Sequence, residues 1–171
     1  MRKSKVSLPV ERAGDNRKKA AIPVIGEGKR GESGHLGYLL RQAAGGFRLS
    51  LERALADFDV TQPQFVVMTM IAAYPGASNA DLARLAMLTP QTLSTIIANL
   101  LRAEIVSRHP HAIHGRIQQL LLTESGAKLL AKCRDRVAHL EAQLLAGLAP
   151  GEEQAVRRWL VKAALLGRTQ D

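Results

Sequence analysis

The segment SNADLARLAMLTPQTLSTIIANLLRAEIVSR, residues 78–108, is the most informative part of the sequence, because it contains two helix-forming stretches separated by a short turn. Ser78, with Asp81 three residues later, is typical of a capping box and predicts the start of a short helix. Thr89 and Pro90 predict a second start, since proline at the first helical position gives up an N–H group that has no helical partner there. The segment therefore predicts a helix-turn-helix.

The second of these helices, expected to run from Pro90 to about Ala103, has two chemically different faces. One face carries apolar side chains: Leu93, Ile96, Ile97, Leu100 and Leu101. The opposite face carries polar side chains: Gln91, Thr95, Asn99 and Arg102, with Thr92 at its edge. Such side chains can lie against base edges in the major groove. A merely solvated face would more often contain Glu and Lys, and this helix has no acidic residue before Glu104, so the pattern favours DNA recognition.

Two β-prone stretches, IVSRH and RIQQLLLT, follow this helix. An eight-residue loop from His109 to Arg116, containing Pro and Gly, joins them and predicts a β-hairpin wing. We expect Arg108 at the base of the wing and Arg116 at its tip, where both can reach phosphates or a minor groove.

The segment before the helix-turn-helix predicts two further helices. Apolar residues at helical spacing indicate a first helix of about 24 residues within positions 33–58. Gly45 and Gly46 interrupt it, which indicates either a helix that approaches closely or a bend. Thr61 and Gln64 predict a capping box at the start of the second helix.

Two helices are predicted after the wing, one capped by Thr123 and one opened by Pro150. Together with the first helix they carry more apolar surface than a small winged domain can cover. We therefore expect a second copy of the chain to cover them, giving a homodimer. The expected dimerisation residues are Leu36, Leu40, Leu140, Leu144, Trp159 and Leu160.

The composition limits the partners and the compartment. The 171-residue chain has 24 Lys and Arg against 15 Asp and Glu, a net charge of +9, which favours a polyanion, either nucleic acid or an anionic membrane. No apolar run approaches the roughly 18 residues that cross a bilayer, and no signal-peptide core follows the basic start. The chain is predicted to be cytoplasmic and not bound to a membrane. The single cysteine, Cys133, agrees with a reducing compartment.

Residues 1–33 contain nine basic and four acidic residues, with Pro and Gly and without periodicity. This composition predicts a mostly disordered arm, because too few apolar groups are available to offset the ordering entropy. The arm is either a solubilising tail or a segment that contacts the DNA backbone or minor groove.

The order of predicted elements resembles the MarR family of bacterial transcription regulators over about residues 34–166. VTQPQFVVMTMIA is similar to the family's Leu-Thr-x-x-Gln-hydrophobic opening of the second helix, and ADLARLAMLTPQTLSTIIANLLRAEIVSR to its helix-turn-helix. LLLTESGAKLL is similar to the Leu-Thr-x-x-Gly motif at the end of the wing. The resemblance implies a mostly α-helical protein, with a winged helix-turn-helix at 61–122 and a helical dimerisation region at 34–60 and 123–168.

The resemblance also implies a function, that of a homodimeric regulator, usually a repressor, that binds double-stranded DNA at a pseudo-palindromic operator with half-sites about one turn apart. Small anionic aromatics, acyl-CoA thioesters, oxidants or metals often release such proteins from DNA. An effector pocket is implied between the first, second and fifth helices. Its candidate residues are Tyr38, Arg41, Phe47, Arg48, Phe65 and Met68.

Two positions depart from the family pattern. Glu104 replaces the usual glycine in the turn after the recognition helix, so that turn must form without the residue that best tolerates positive φ. In the wing, His114-Gly115-Arg116 replaces Asp-x-Arg, which keeps the arginine but loses the acid that would orient it.

Other functions are less well supported. Cys133 lies on an apolar strip, which favours a packed thiol over a redox sensor. His109, His111 and His114 are close enough for a metal site, but contact with DNA is the better interpretation, and no cofactor is expected. The sequence has no hydrolase, metalloprotease or phosphate-loop motif, so an enzyme is not expected. The alternative to a regulator is a non-specific architectural DNA-binding protein.

Overall fold

The computed structural model describes residues 22–110 and 118–166, and the side chain of Gln118 is outside the description. Within these ranges the elements are α1 (Leu36–Leu55), α2 (Gln62–Ala73), α3 (Asn79–Leu85), α4 (Pro90–Arg102), β1 (Val106–Pro110), β2 (Gln118–Leu122), α5 (Glu124–Leu145) and α6 (Pro150–Leu165). The strands pair antiparallel, from Val106 opposite Leu122 to Pro110 opposite Gln118. The predicted mostly α-helical fold with a helix-turn-helix and a wing is confirmed.

The chain divides into two units, one ending at Gln42 and one beginning at Ala43. In the first unit, residues 22–34 form turns and a short 3₁₀ helix, Gly28–Arg30. The Arg30 carbonyl accepts a hydrogen bond from Gln42 Nε2 at 3.0 Å, and Arg30 Nε donates to Gln42 Oε1 at 3.3 Å. The predicted disordered arm therefore needs a correction at its C-terminal boundary, because these bonds order residues 22–33. Residues 1–21 lie outside the described residues.

Helix α1 is shorter than the sequence predicts. Its α-helical part ends at Leu55, and a 3₁₀ turn, Ala56–Phe58, follows, closed by Asp59 in the left-handed conformation with a φ of 54°. A Cβ atom built on Gly45 or Gly46 would meet nothing within 4 Å. Close approach of another helix of the same unit is therefore not the reason for these glycines, and they lie in an unbroken helix.

The predicted helix starts are confirmed by their hydrogen bonds. Thr61 accepts a bond from the Gln64 backbone N–H, and Gln64 Oε1 accepts one from the Thr61 backbone N–H at 2.8 Å, which completes the capping box. Ser78, Thr89 and Thr123 each accept a bond from the backbone N–H three residues later. Each bond satisfies a helical donor that would otherwise lack a partner, so these four positions fix where the helices begin.

The second unit has one hydrophobic core, and α2, α4 and the first half of α5 supply most of it. Its most deeply buried large side chains are Leu55, Val67, Met68, Leu82, Leu93, Ile97, Leu130 and Cys133. Helix α5 has buried residues only up to Val137, and α6 has none. The C-terminal part of the chain therefore adds little to this core and leaves its own apolar side chains exposed.

Candidate nucleic-acid interface

Helix α4 presents its polar face to solvent and its apolar face to the core, as its sequence predicts. Leu93, Ile96, Ile97 and Leu100 are buried, and Leu101 is half-buried. Every predicted DNA-binding residue of the helix is exposed: Gln91, Thr92, Thr95, Asn99 and Arg102. The structure brings these five side chains together on one surface, which is the geometry that a recognition helix requires.

Hydrogen bonds within this surface orient some of its side chains. Arg102 Nη1 donates to Asn99 Oδ1 at 3.0 Å, so the free edge of the guanidinium and the Asn99 amide nitrogen present donors side by side. Thr95 Oγ1 donates to the Gln91 carbonyl at 3.2 Å, which leaves its oxygen as an acceptor. The Thr92 hydroxyl lies 2.8 Å from that of Thr89 at the helix start.

Two further residues of this surface, Ser94 and Ala98, were missed by the sequence analysis, although both are exposed. At 100° per residue, Ala98 lies about 20° from Gln91 on the helical wheel. An alanine methyl can contact the methyl group of thymine, so a small apolar residue belongs on a base-reading face as much as a polar one. A helical wheel that ignores polarity would have identified both.

Helix α3 is anchored at its start by an exposed cluster. Asp81 Oδ2 accepts a bond from the Ser78 hydroxyl at 2.6 Å, and Asp81 Oδ1 accepts one from Arg84 Nη2 at 2.9 Å. The hydrogen bond from Ser78 is the main reason why the pKa of the Asp81 carboxyl is lowered, and the charge of Arg84 adds to it. These bonds hold the first turn of the helix-turn-helix.

The turn after α4 contains the predicted non-glycine residue with positive φ. Glu104 has a φ of 55°, in the left-handed region that favours glycine. Its carbonyl oxygen accepts a bond from Thr123 Oγ1 at 2.7 Å and one from Ser125 Oγ at 3.2 Å. The end of the recognition helix is thus bonded to the start of α5.

The first strand of the wing, Val106–Pro110, is shifted by one residue from the predicted stretch IVSRH and includes the first two residues of the predicted loop. His109 and Pro110 belong to β1 and not to the loop, because they pair with Gln119 and Gln118. Arg108 is exposed in the middle of the strand and pairs with Leu120. The expected contact residue Arg116 lies outside the described residues, as do His111 and His114.

The residues expected around an effector pocket have different environments. Met68 is fully buried in the core, and Phe47 and Phe65 pack against it while partly exposed. Arg48 is exposed and forms an ion pair with Glu52 at 2.6 Å. The remaining two residues, Tyr38 and Arg41, are exposed and belong to the first unit.

A cleft of about 420 Å³ lies elsewhere in the second unit, beside the turn that contains Glu104. Its lining residues are Leu101, Glu104, Val106, Ser107, Thr123, Glu124 and Ser125. This position is next to the recognition helix and the wing, and not between α1, α2 and α5.

Cys133 is a packed thiol, as predicted. It is fully buried in the core, and this burial raises the pKa of the thiol. A protonated, inaccessible thiol reacts slowly with oxidants. Within the described ranges, no three His, Cys, Asp or Glu side chains lie close enough to hold a metal ion.

The expected dimerisation residues are mostly exposed. Leu36 is 68% exposed and Leu144 63%, whereas Leu140 is half-buried against the core. Leu40, Trp159 and Leu160 also rank among the exposed large apolar side chains. Across residues 22–110 and 118–166, no helix is long and apolar enough to cross a membrane.

Comparison with known proteins agrees with this geometry. A family model described as the MarR family matches residues 60–117. The HTH-type transcriptional repressor Rv2887 of Mycobacterium tuberculosis is 34% identical over 127 residues, which are 74% of this chain and 91% of that protein.

Solved structures with the same fold include complexes with DNA and with small molecules. The structure of Rv2887 from M. tuberculosis with p-aminosalicylic acid has a TM-score of 0.62 at 32% identity and covers 76% of this chain and 98% of its own. Rv2887 in complex with DNA has a TM-score of 0.61 at 32% identity, covering 75% and 97%. The S. aureus MepR–DNA complex has a TM-score of 0.70 at 25% identity, covering 80% and 97%. The chain belongs to the MarR family of winged helix-turn-helix proteins, which are DNA-binding transcription regulators and not enzymes.

Proposed function

We propose that this regulator is a ligand-responsive homodimeric repressor that binds a pseudo-palindromic operator. The observation that supports it is the division of α4 into a buried apolar face and an exposed face with Gln91, Thr95, Asn99 and Arg102. A non-specific architectural protein needs basic groups that contact phosphates, but it does not need short hydrogen-bonding side chains arranged along one helix face.

The roles of the contact residues follow from their chemistry. Gln91 is in the first turn of α4, where a glutamine amide can bond an adenine edge in two places. The Arg102 and Asn99 pair offers donors to guanine or to a phosphate. Thr92, next to the helix start, and the wing residues Arg108 and Arg116 are assigned to the phosphate backbone or the minor groove.

The homodimer follows from the apolar surface that the C-terminal helices leave uncovered. Val161 and Leu165 are 63% and 51% exposed, in addition to Trp159 and Leu160 at 41% and 45%. Large apolar side chains exposed along one helix are typical of a surface that a partner covers. In the proposed dimer it packs against its own copy, and two-fold symmetry places the recognition helices about 34 Å apart.

A small aromatic carboxylate is the proposed effector, with an acyl-CoA thioester as the second candidate. The relative Rv2887 has been solved with p-aminosalicylic acid, which supports the first class. Arg41 and Arg48 are the cations proposed to pair with the carboxylate, beside Tyr38, Phe47, Phe65 and Met68. Because Met68 is fully buried, it becomes a contact only if the core adjusts. Release from DNA requires that the ligand bind the two dimer geometries with different affinities.

The test of sequence recognition is a gel-shift titration with DNA from upstream of the protein's own gene and a scrambled duplex as competitor. Gln91→Ala is expected to lose about 1–3 kcal/mol of discrimination at one or two base pairs. Gln154→Ala removes an exposed glutamine from α6 and serves as the control. Equal affinity of the wild-type protein for every duplex would favour the architectural alternative.

The dimer is tested by sedimentation of the double variant Trp159→Glu and Leu160→Glu. Because α6 contributes no buried residue to the single chain, the variant should remain folded while it dissociates. Gln154→Glu adds one charge to the same helix as a control.

The effector is tested by repeating the gel shift with aromatic acids and acyl-CoA thioesters. If none releases the protein, ligand control loses its support.

A further inference from the structure

The contacts between the end of α4 and the start of α5 form a compact junction. We define it by Glu104 and Ile105 on one side and by Thr123, Ser125 and Gly126 on the other. The Thr123 hydroxyl donates to the Glu104 carbonyl at 2.7 Å, with the Ile105 carbonyl as a second acceptor at 3.2 Å, and it lies 2.8 Å from Ser125 Oγ. Its oxygen accepts from the Gly126 N–H at 3.0 Å, and the Thr123 backbone N–H donates to the Ile105 carbonyl at 3.1 Å. One side chain thus caps α5 and holds the turn that ends α4.

The junction is tightly packed at Gly126, whereas Glu104, Thr123 and Ser125 also line the cleft beside the recognition helix. A Cβ atom added to Gly126 would lie 2.0 Å from the Ile105 carbonyl oxygen, so the backbones of the two segments are in direct contact. Glu104 adopts a left-handed conformation that a non-glycine residue rarely adopts without support from its surroundings. The bonds from Thr123 and Ser125 to its carbonyl supply that support.

We propose that Thr123 is a positioning residue for DNA recognition, and that its hydroxyl fixes the angle between the recognition helix α4 and helix α5. The inference rests on the proposed function. Thr123 does not contact DNA in this scheme, and it acts through the Glu104 turn, two residues after Arg102. Loss of its hydroxyl leaves the Gly126 N–H without its side-chain partner and the Glu104 carbonyl with only the longer bond from Ser125 Oγ, which lets the end of α4 shift relative to α5.

The test compares two threonines that cap helices by the same bond. Thr123→Val keeps the shape of the side chain and removes the hydroxyl, with Ser125→Ala added so that the neighbouring hydroxyl cannot replace it. Thr61→Val makes the same change at the start of α2, where the threonine bonds only within its own capping box. Both changes remove a helix cap and are expected to lower the melting temperature, the Thr123→Val, Ser125→Ala change by more because it also removes the bonds to the Glu104 carbonyl.

Operator affinity is measured well below both melting temperatures. The Thr123→Val, Ser125→Ala variant is expected to lose on the order of tenfold in affinity, which corresponds to one hydrogen bond at about 1.4 kcal/mol, whereas Thr61→Val should change less than about twofold. Thr123→Ser with Ser125 intact is expected to restore affinity. Hydrogen exchange should accelerate at the amides of Glu104 and Ile105 in the first variant, ahead of the global rate.

Equal losses in the two valine variants would overturn the inference, because the effect would then come from stability alone. Unchanged affinity in the Thr123→Val, Ser125→Ala variant would overturn it as well. A wild-type protein that binds no duplex specifically would instead contradict the proposed function, so the two failures are distinguishable.

Discussion

Replacing Glu104 with glycine should stabilise the protein. The residue has a φ of 55°, where an L-residue with a Cβ atom costs about 1–2 kcal/mol relative to glycine. Glycine raises the entropy of the unfolded chain, which offsets about 0.4–1 kcal/mol of this gain. Because Glu104 is exposed, its replacement removes little packing. We expect a net gain of about 0.5–1 kcal/mol in the free energy of unfolding. At roughly 2–4 °C per kcal/mol for a chain of this size, the melting temperature should rise by about 1–4 °C.

The assay is thermal and urea unfolding at one fixed protein concentration, since the stability of a dimer depends on concentration. Glu104→Gln is the matched control, because it removes the same charge but keeps the Cβ atom. It should leave stability within about 0.5 kcal/mol of the wild type. Any rise in DNA affinity from removal of the negative charge should appear in both variants. A glutamine variant as stable as the glycine variant, or a glycine variant with no gain, would refute the argument from backbone conformation.

Three further results are expected. The Cys133 thiol, buried and with a raised pKa, should not react with a thiol reagent at pH 8 until the protein unfolds; rapid reaction of the native protein would contradict its place in the core. Gly126→Ala should cost at least about 1–3 kcal/mol in urea unfolding, because the added methyl would lie 2.0 Å from the Ile105 oxygen. Deletion of residues 2–21, which hold seven basic and two acidic residues, should reduce the salt dependence of DNA binding by about 0.9 for each phosphate that the segment neutralises, and an unchanged slope would assign that segment to solubility alone.

Most of the fold was predictable because it follows from local rules. Each helix start depends on a Thr, Ser or Pro and on the backbone within three residues of it, so Thr61, Ser78, Thr89 and Thr123 could be identified from sequence alone. The faces of α4 follow from its period. The positive φ at Glu104 was predictable from the resemblance, since a turn that usually contains glycine was expected to keep its shape.

The features that were not predictable depend on partners distant in the sequence. The ordered structure of residues 22–33 depends on hydrogen bonds between Arg30 and Gln42, which are 12 positions apart in the sequence. The bond between Thr123 and the Glu104 carbonyl joins residues 19 positions apart. Neither helical periodicity nor the capping rules predict hydrogen bonds between residues this far apart in the sequence. The cleft beside the recognition helix was missed for the same reason, because strands and helices that are separate in the sequence line it together.

Helix α5 connects the proposed DNA-binding surface to the proposed dimer interface. Its first residues bond to the end of the recognition helix, its middle is buried in the core as far as Val137, and Leu144 near its end is exposed where the partner is expected. At 1.5 Å per residue its 22 residues span about 33 Å, so a tilt of about 5° about its far end would displace Thr123 by about 3 Å. A major groove about 12 Å wide does not tolerate independent shifts of that size at two half-sites. An effector that alters only the packing of α5 in the dimer could therefore release the protein from DNA without contacting the recognition helix.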